Sequence, residues 1–270
     1  MTDRYAIIGH PVAHSKSPEI HTAFALATGE ALVYERLLAP LEDFRGTVDA
    51  FRANGGRGAS VTLPFKVEAF NYATELTTRA RLAGAVNALK FDGTTVLGDN
   101  TDGIGMCRDI SKNFGVPLKD AKILVLGAGG AARGVIGPLC DGLPQQITIA
   151  NRTHSKAEEI ANQFSGAGPV NAIPTADLAG LRFDIIINAT SASIGNQLPG
   201  VAASCFGPRT LAYDMMYGKG VTPFMQLATS EGARAVDGLG MLIEQAAEAF
   251  LLWRGIRPTT DALMKKMRGG

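Results

Sequence analysis

Cysteine is scarce in this chain, tryptophan scarcer still, and net charge nearly absent. The three cysteines, Cys107, Cys140 and Cys205, are far apart and odd in number. They do not form a disulfide framework or a zinc-ligand pattern, and they predict buried thiols in a reducing, cytoplasmic compartment. A formal charge of +1 provides no broad field for nucleic acid or an acidic membrane surface. No apolar run approaches the roughly 20 residues of a membrane span. Met1-Thr-Asp-Arg4 runs straight into an apolar stretch, with no basic, cleavable leader before it. Internal repeats and low-complexity segments are absent, and no residue cluster points to a metal.

What is present is a chain of 270 residues, 46% hydrophobic and 19% charged. That is enough for a full core in one large domain or two of ordinary size. Arg4–Gly9 reads as a short buried strand, and a helix over Glu19–Leu26 follows a polar loop. Ala31–Leu37 reads as a second strand, and Leu41–Asn54 has helical spacing, broken by Gly55-Gly-Arg-Gly58. Ala59–Thr62 is a third strand. Helices are predicted over Val67–Tyr72 and Thr77–Leu82. Asn87–Phe91 and Thr95–Gly98, joined at Asp92-Gly93, read as a hairpin. This first α/β domain is expected to end at Asp102. A helix over Gly103–Phe114 then leads into a second domain, 103–237, with strands at Ile123–Leu126, Gln146–Ala150, Phe183–Ile187 and Thr210–Tyr213. The long connections between them predict a mostly parallel sheet. Residues 238–270 contain an apolar helix, Met241–Trp253, and a short one at Asp261–Lys266, both expected to return to the first domain. The fold class is therefore α/β, in two domains with a cleft between them.

The stretch Ile123-Leu-Val-Leu-Gly127-Ala-Gly129-Gly130-Ala-Ala132 organises the second domain. Four aliphatic residues form a strand buried on both faces, followed by a glycine-rich turn into a helix. Gly127, Gly129 and Ala132 occupy the positions of a G-x-G-x-x-A fingerprint. The first permits the tight turn, the second lets a pyrophosphate approach the backbone, and the third allows close helix–strand packing. The helix N-terminus offers unpaired N–H groups to phosphate. A bare tight turn is the competing reading, but the strand Gln146–Ala150 falls where a βαβ unit needs one. That second strand ends in Asn151-Arg152-Thr153, with Lys156 close behind, where a carboxylate would mark NAD. A guanidinium there grips a 2′-phosphate instead, which favours NADP over a merely solvated helix start.

Four polar clusters precede this domain. Ser15 and Ser17 flank Lys16 just before Pro18, and serve equally as a carboxylate cradle or as an N-cap. Lys66 follows Val61-Thr62-Leu-Pro-Phe65 at a strand-to-helix turn; by type alone it is a surface lysine. Gly98-Asp99-Asn100-Thr101-Asp102-Gly103 is a dense polar run of the kind turns contain, without the carboxylate spacing of an EF-hand. Asn87 enters a strand after Gly84-Ala-Val86.

Together these stretches resemble the bacterial single-function shikimate dehydrogenases of the aromatic-amino-acid pathway. The matches are Gly9-x-Pro11-x-x-His14-Ser15-Lys16-Ser17-Pro18, Val61–Lys66, Gly84–Asn87 and Gly98–Gly103. In the second half they are Gly127–Ala131, Asn151–Thr153, Asn188-Ala-Thr-Ser191, Asp214-Met-Met-Tyr217 and Asp237-Gly-Leu-Gly-Met-Leu242. They stand in family order from end to end. The resemblance implies reversible NADPH-dependent reduction of 3-dehydroshikimate to shikimate, by a monomer or weak homodimer. It implies a catalytic pair of Lys66 and Asp102, with Ser15 and Ser17 on the substrate carboxylate and Tyr217 near it. Thr62, Lys66, Asn87, Asp102 and Gln245 would contact the rest of the substrate. Gly127, Ala128, Gly129, Gly130, Ala131, Asn151, Arg152, Thr153, Lys156, Thr190, Met215 and Gly238 would bind the cofactor. Three positions depart from the pattern: Ser60 where many members have Asn, Ala88 where Thr is frequent, and Ser193 where Gly is frequent. A quinate/shikimate dehydrogenase of broader specificity and a catalytically silent NADP-binding sensor are the alternatives.

Overall fold

The computed structural model of the protein describes residues 2–218 and 220–269. They form two compact units: the residues up to Gly105 together with those from Ile243 onward, and Met106–Leu242.

The first unit is built on a six-stranded mixed sheet. Its strands are β1 (Asp3–Gly9), β2 (Leu32–Leu38), β3 (Gly56–Val61), β4 (Glu75–Leu76), β5 (Ala88–Asp92) and β6 (Thr95–Asp99), in the order β2-β1-β3-β5-β6-β4. β1 pairs in parallel with β2 and β3, and β5 runs antiparallel to both β3 and β6. The helices are α1 (Ser17–Thr28), α2 (Phe44–Ala53), α3 (Lys66–Tyr72) and α4 (Thr78–Ala83). Alternation along β1 sends Ala6 and Ile8 to one face, where Phe44, Val48 and Phe51 of α2 and Ala69 and Tyr72 of α3 pack. Tyr5 and Ile7 point to the other face, against Tyr34, Ala88, Ala249 and Trp253.

Of the three glycines read as a break before the third strand, Gly55 stands in a turn at φ +84°, while Gly56 and Gly58 lie inside the strand. A side chain at Gly56 would collide with Phe51, 2.5 Å away. One at Gly58 would meet Leu89 O and Trp253 Nε1, each at 2.7 Å. Close approach, not a turn, accounts for both.

The chain leaves the first unit within α5 (Asp102–Arg108), which continues into a π-helical turn, Asp109–Asn113, where one unbroken helix was expected. The second unit has β7 (Lys122–Leu126), α6 (Gly130–Asp141), β8 (Gln146–Ala150), α7 (His154–Phe164), β9 (Val170–Ala172), β10 (Ile185–Asn188), β11 (Leu211–Asp214), α8 (Pro223–Ser230) and β12 (Arg234–Asp237). Every strand pair is parallel, in the order β12-β11-β10-β7-β8-β9. This is the doubly wound Rossmann order, reversing between β7 and β10, and ligands of such sheets bind outside the strands' carboxyl ends at that switch. The short edge strands β9 and β12 have no counterpart in the sequence expectation. The chain returns to the first unit within α9 (Leu239–Arg254) and ends with α10 (Asp261–Arg268).

His21 is the odd residue in the first unit's core. It is 1% exposed, and neither ring nitrogen has a hydrogen-bond partner among the described residues. Its ring stacks on Tyr34 at 4.3 Å and 7°. Burial holds its pKa down at about 3, against 6.5 in water. The unfolded chain therefore takes up this proton first as pH falls. Stability drops by up to about 1.4 kcal/mol per pH unit below the unfolded pKa. His21→Phe keeps an aromatic ring in the stack and removes both the titration and the unpaired nitrogens. Its stability gain over wild type, measured by urea denaturation, is expected to be larger at pH 5 than at pH 8. An equal gain at both pH values would show that His21 takes no part in the acid limb.

Candidate active site

In the first unit, β3 ends in the turn Thr62–Phe65, whose Leu63–Pro64 peptide is cis. Phe65 is fully buried and stacks on Phe44 at 5.2 Å, which pins the turn to the core. The next residue, Lys66, opens α3 with its side chain 30% exposed. Its Nζ donates to Asp102 Oδ2 at 2.5 Å. The other carboxylate oxygen, Oδ1, accepts Asn87 Nδ2 at 2.8 Å. The same amide nitrogen reaches Thr101 Oγ1 at 3.0 Å and Gln245 Oε1 at 3.3 Å. Asn87 Oδ1 takes the Thr101 N–H at 2.8 Å. Lys66, Asn87, Asp102 and Gln245, named from distant stretches, thus share one hydrogen-bonded set. Thr101, fully buried, joins it without having been singled out. Only its place in the polar run pointed to it.

The backbone explains the convergence. Val61 N–H donates to Asn87 O at 2.7 Å, and Asn87 N–H to Asp99 O at 2.9 Å. Asn87 therefore continues the sheet between β3 and β6, past the end of β5. Val86 N–H donates to Lys66 O at 2.9 Å, tying the lysine turn to the same segment.

Behind the set lies a chain of charges. Asp99, 1% exposed, accepts Arg79 Nε at 2.7 Å and Nη2 at 2.5 Å, and Thr77 Oγ1 at 2.6 Å. Its Oδ1 also receives the Asn100 N–H at 2.8 Å, and Asn100 Oδ1 in turn receives the Asp102 N–H at 3.2 Å. Arg79 continues to Glu248 at 3.2 Å, and Arg257 bridges Glu248 and Glu244 at 2.5 and 2.6 Å. Glu244 precedes Gln245 on α9 and also accepts Thr260 Oγ1 at 2.6 Å. None of this network was expected from the sequence.

Ser15 and Ser17 flank the start of α1, and neither is its N-cap residue. Lys16 is the N-cap of α1 and makes no side-chain cap bond. Ser15 Oγ takes the Ser17 N–H at 3.3 Å and donates to Ser17 Oγ at 3.2 Å. Arg36 holds the Ser15 carbonyl from Nε and Nη2 at 3.1 and 2.6 Å, leaving the two hydroxyls side by side. Thr62 packs its methyl where a side chain on Gly9 would stand, only 2.4 Å away.

In the second unit, Gly127 has φ +109°, and a Cβ there would press on Ala189 O and Thr190 Cγ2, both at 3.1 Å. Cβ atoms on Gly129 and Gly130 would meet nothing within 4 Å. Open space therefore faces the first turn of α6, whose N–H groups have no intrahelical partner. No acidic residue stands at the end of β8. There Asn151 Nδ2 closes a turn onto Thr153 O at 2.8 Å, and Arg152 and Lys156 are exposed. Space, N–H donors and a cation in this arrangement fit a dinucleotide carrying a 2′-phosphate. Ala128 and Ala131 complete the turn. Thr190 donates to Asn188 Oδ1 at 2.7 Å, and Gly238 lies so close to Met215 that a Cβ would come 2.4 Å from its carbonyl. Tyr217, half-buried in the loop after β11, has its phenol pKa raised by burial.

The fold and these clusters define a two-unit α/β protein with a Rossmann-type nucleotide fold. Residues 7–89 match the shikimate dehydrogenase substrate binding domain, 109–195 the shikimate / quinate 5-dehydrogenase family, and 238–268 the shikimate 5′-dehydrogenase C-terminal domain. A shikimate dehydrogenase (NADP(+)) of Herminiimonas arsenicoxydans is 54% identical over 268 residues, covering 99% of this chain and 98% of its own. The crystal structure of an Ael1 enzyme from Pseudomonas putida has a TM-score of 0.95 at 46% identity, over 98% of each chain. Shikimate 5-dehydrogenase from Thermus thermophilus, in complex with NADP(H) and shikimate, has a TM-score of 0.87 at 32% identity, over 99% of each chain. The chain belongs to the shikimate dehydrogenase family.

The Arg79–Asp99 pair generates a stability prediction. Arg79→Leu leaves a buried carboxylate with Thr77 Oγ1 and one backbone N–H, and is expected to cost about 3 kcal/mol. Urea denaturation measures the loss. Unchanged stability would mean that Thr77 and Asn100 satisfy Asp99 without the guanidinium.

Proposed function

We propose that this protein catalyses the reversible, NADPH-dependent reduction of 3-dehydroshikimate to shikimate. The observation that carries the reading is the contact of Lys66 with Asp102, held from behind by Asn87, Thr101 and Gln245. NADPH, when bound, supplies the hydride. Gly127–Ala131 and the α6 N-terminus hold the pyrophosphate, and Asn151, Arg152, Thr153 and Lys156 hold the adenosine end. Thr190, Met215 and Gly238 border the nicotinamide. Ser15 and Ser17 bind the substrate carboxylate, with Tyr217 beside it, while Thr62, Asn87, Asp102 and Gln245 hydrogen-bond the ring hydroxyls.

Lys66 stabilises the substrate's ring carbonyl oxygen as it gains charge and delivers a proton to it from Nζ. Asp102 fixes the direction of the ammonium through Oδ2, while Asn87 prevents the carboxylate from turning through Oδ1. General acid–base groups of this kind are worth about a hundred- to ten-thousand-fold in rate. A partly exposed pair suits the role, since substrate must reach both groups. We further place the protein in the cytoplasm as a monomer or weak homodimer. Its three free, buried thiols support the compartment.

The deciding assay follows absorbance at 340 nm with shikimate or quinate against NADP or NAD. Shikimate with NADP is expected to give the highest kcat/KM. Preference for quinate, or no turnover in any combination, would overturn the proposal.

Two variants test the assigned roles. Lys66→Met keeps the stem's packing and removes the charge, so turnover is expected to fall roughly a hundredfold or more, with shikimate affinity far less affected. Near-normal turnover would move proton transfer to Asp102 or water. Arg152→Ala is expected to weaken NADP binding and leave NAD nearly unchanged. Equal losses for the two cofactors would remove Arg152 from the 2′-phosphate.

A further inference from the structure

Asp214 ends β11 fully buried, and its donors come from both loops that follow β10 and β11. Oδ2 accepts Ser193 Oγ and Thr222 Oγ1, each at 2.7 Å. Oδ1 accepts Met216 N at 3.1 Å and Asn188 Nδ2 at 3.2 Å. Ser193 is itself 3% exposed, and its oxygen receives a second bond from Asn188 Nδ2 at 3.0 Å. Its hydroxyl is thus the side-chain link from the 3₁₀ turn Ala192–Gly195 to the carboxylate.

The loop that Ser193 holds begins against the fingerprint turn, with Thr190 in contact range of Gly127. It leaves β10, across the strand-order reversal from β8 and Arg152. In a sheet of this order the two halves of a dinucleotide lie on opposite sides of that reversal. The β10 and β11 loops therefore serve the nicotinamide half and the β8 end serves the adenosine half. We infer that Ser193 is a positioning residue for the nicotinamide half of the site, latching the loop after β10 onto the buried carboxylate of Asp214. The inference rests on the proposed NADP site and assigns to it a residue whose own hydroxyl is buried against Asp214 and Asn188.

The latch separates cleanly from the fold. Without the Ser193 hydroxyl, Asp214 keeps Thr222, Met216 N and Asn188, so the strand ends stay satisfied. The backbone bond from Asn196 N–H to Ser193 O, at 3.3 Å, needs no side chain. What is lost is a hydrogen bond to a charged group, and the loop must then be ordered when the cofactor binds.

The test compares NADP+ with adenosine 2′,5′-bisphosphate, which fills only the Arg152 half. Both dissociation constants are measured by calorimetry on wild type, Ser193→Ala and Ser193→Gly, with thermal melts of each. The expected result for Ser193→Ala is about a tenfold rise in Kd for NADP+. Its bisphosphate Kd should stay within about twofold of wild type, and Ser193→Gly should be at least as impaired toward NADP+. An unchanged NADP+ Kd in both variants overturns the inference. Equal weakening toward both ligands, with a lowered Tm, also overturns it, since Ser193 would then be merely structural. Wild-type protein that binds neither ligand would overturn the cofactor reading itself, and this inference with it.

Discussion

Asp99 sits at the end of β6 with 1% of its surface exposed, and a carboxylate so placed is tolerated only where fixed donors surround it. Arg79, Thr77 and the Asn100 N–H meet that demand. The residues that follow are set as a consequence, because Asn100 turns its own oxygen onto the Asp102 N–H. The same constraint recurs along the chain. Glu244 is held by Arg257 and Thr260 and is the neighbour of Gln245. Asp214 is held by four donors and is the neighbour of Met215. Asp109 accepts Tyr213 Oη at 2.7 Å, and its carboxylate occupies the space beside Gly240 that a Cβ would need. Buried carboxylates act here as nails: Asp99 and Asp214 fix strand ends, and Glu244 a turn of α9, from which proposed functional residues project.

This division explains why exposed and buried acids differ in partners. Asp102 is 20% exposed and has one oxygen on a movable lysine and the other on an amide. Substrate hydroxyls could replace or join such bonds at little cost, because water already competes for them. Asp99 could not lose its guanidinium partner without leaving a dry charge unmet, which costs several kcal/mol. The acid proposed for chemistry is therefore the wetter one, and the drier Asp99 keeps it in register through Asn100.

Legibility in the sequence followed burial. β7, β10 and β11 are apolar runs buried on both faces, and those are readable directly. Val170–Ala172 and Arg234–Asp237 are short edge strands with partly exposed residues, so neither length nor pattern marks them. Glycines mislead in the same way. Gly56 and Gly58 resemble a break, yet they lie in β3 because Phe51, Leu89 and Trp253 crowd the backbone from outside the segment. The π-helical turn at Asp109–Asn113 differs from an α-helix in hydrogen-bond register, which apolar spacing does not encode.

The candidate site was legible in a different manner. Lys66 and Asp102 are 36 residues apart, and no periodicity joins them. Spacing alone left the first as a surface lysine and the second as part of a turn. They meet because Asn87 extends the sheet between β3 and β6, so that a strand-to-helix turn and a strand end face the same polar residue. Resemblance to a family named the pair, whereas the sheet register supplies the physical reason. The supporting shell escaped both routes. Arg79, Glu248, Arg257 and Glu244 come from three separate segments, and each by itself is an ordinary charged residue of a helix or loop. Their significance arises only from what they surround. These charges are placed by the fold's need to neutralise Asp99 and Glu244, and so become visible only once burial is known.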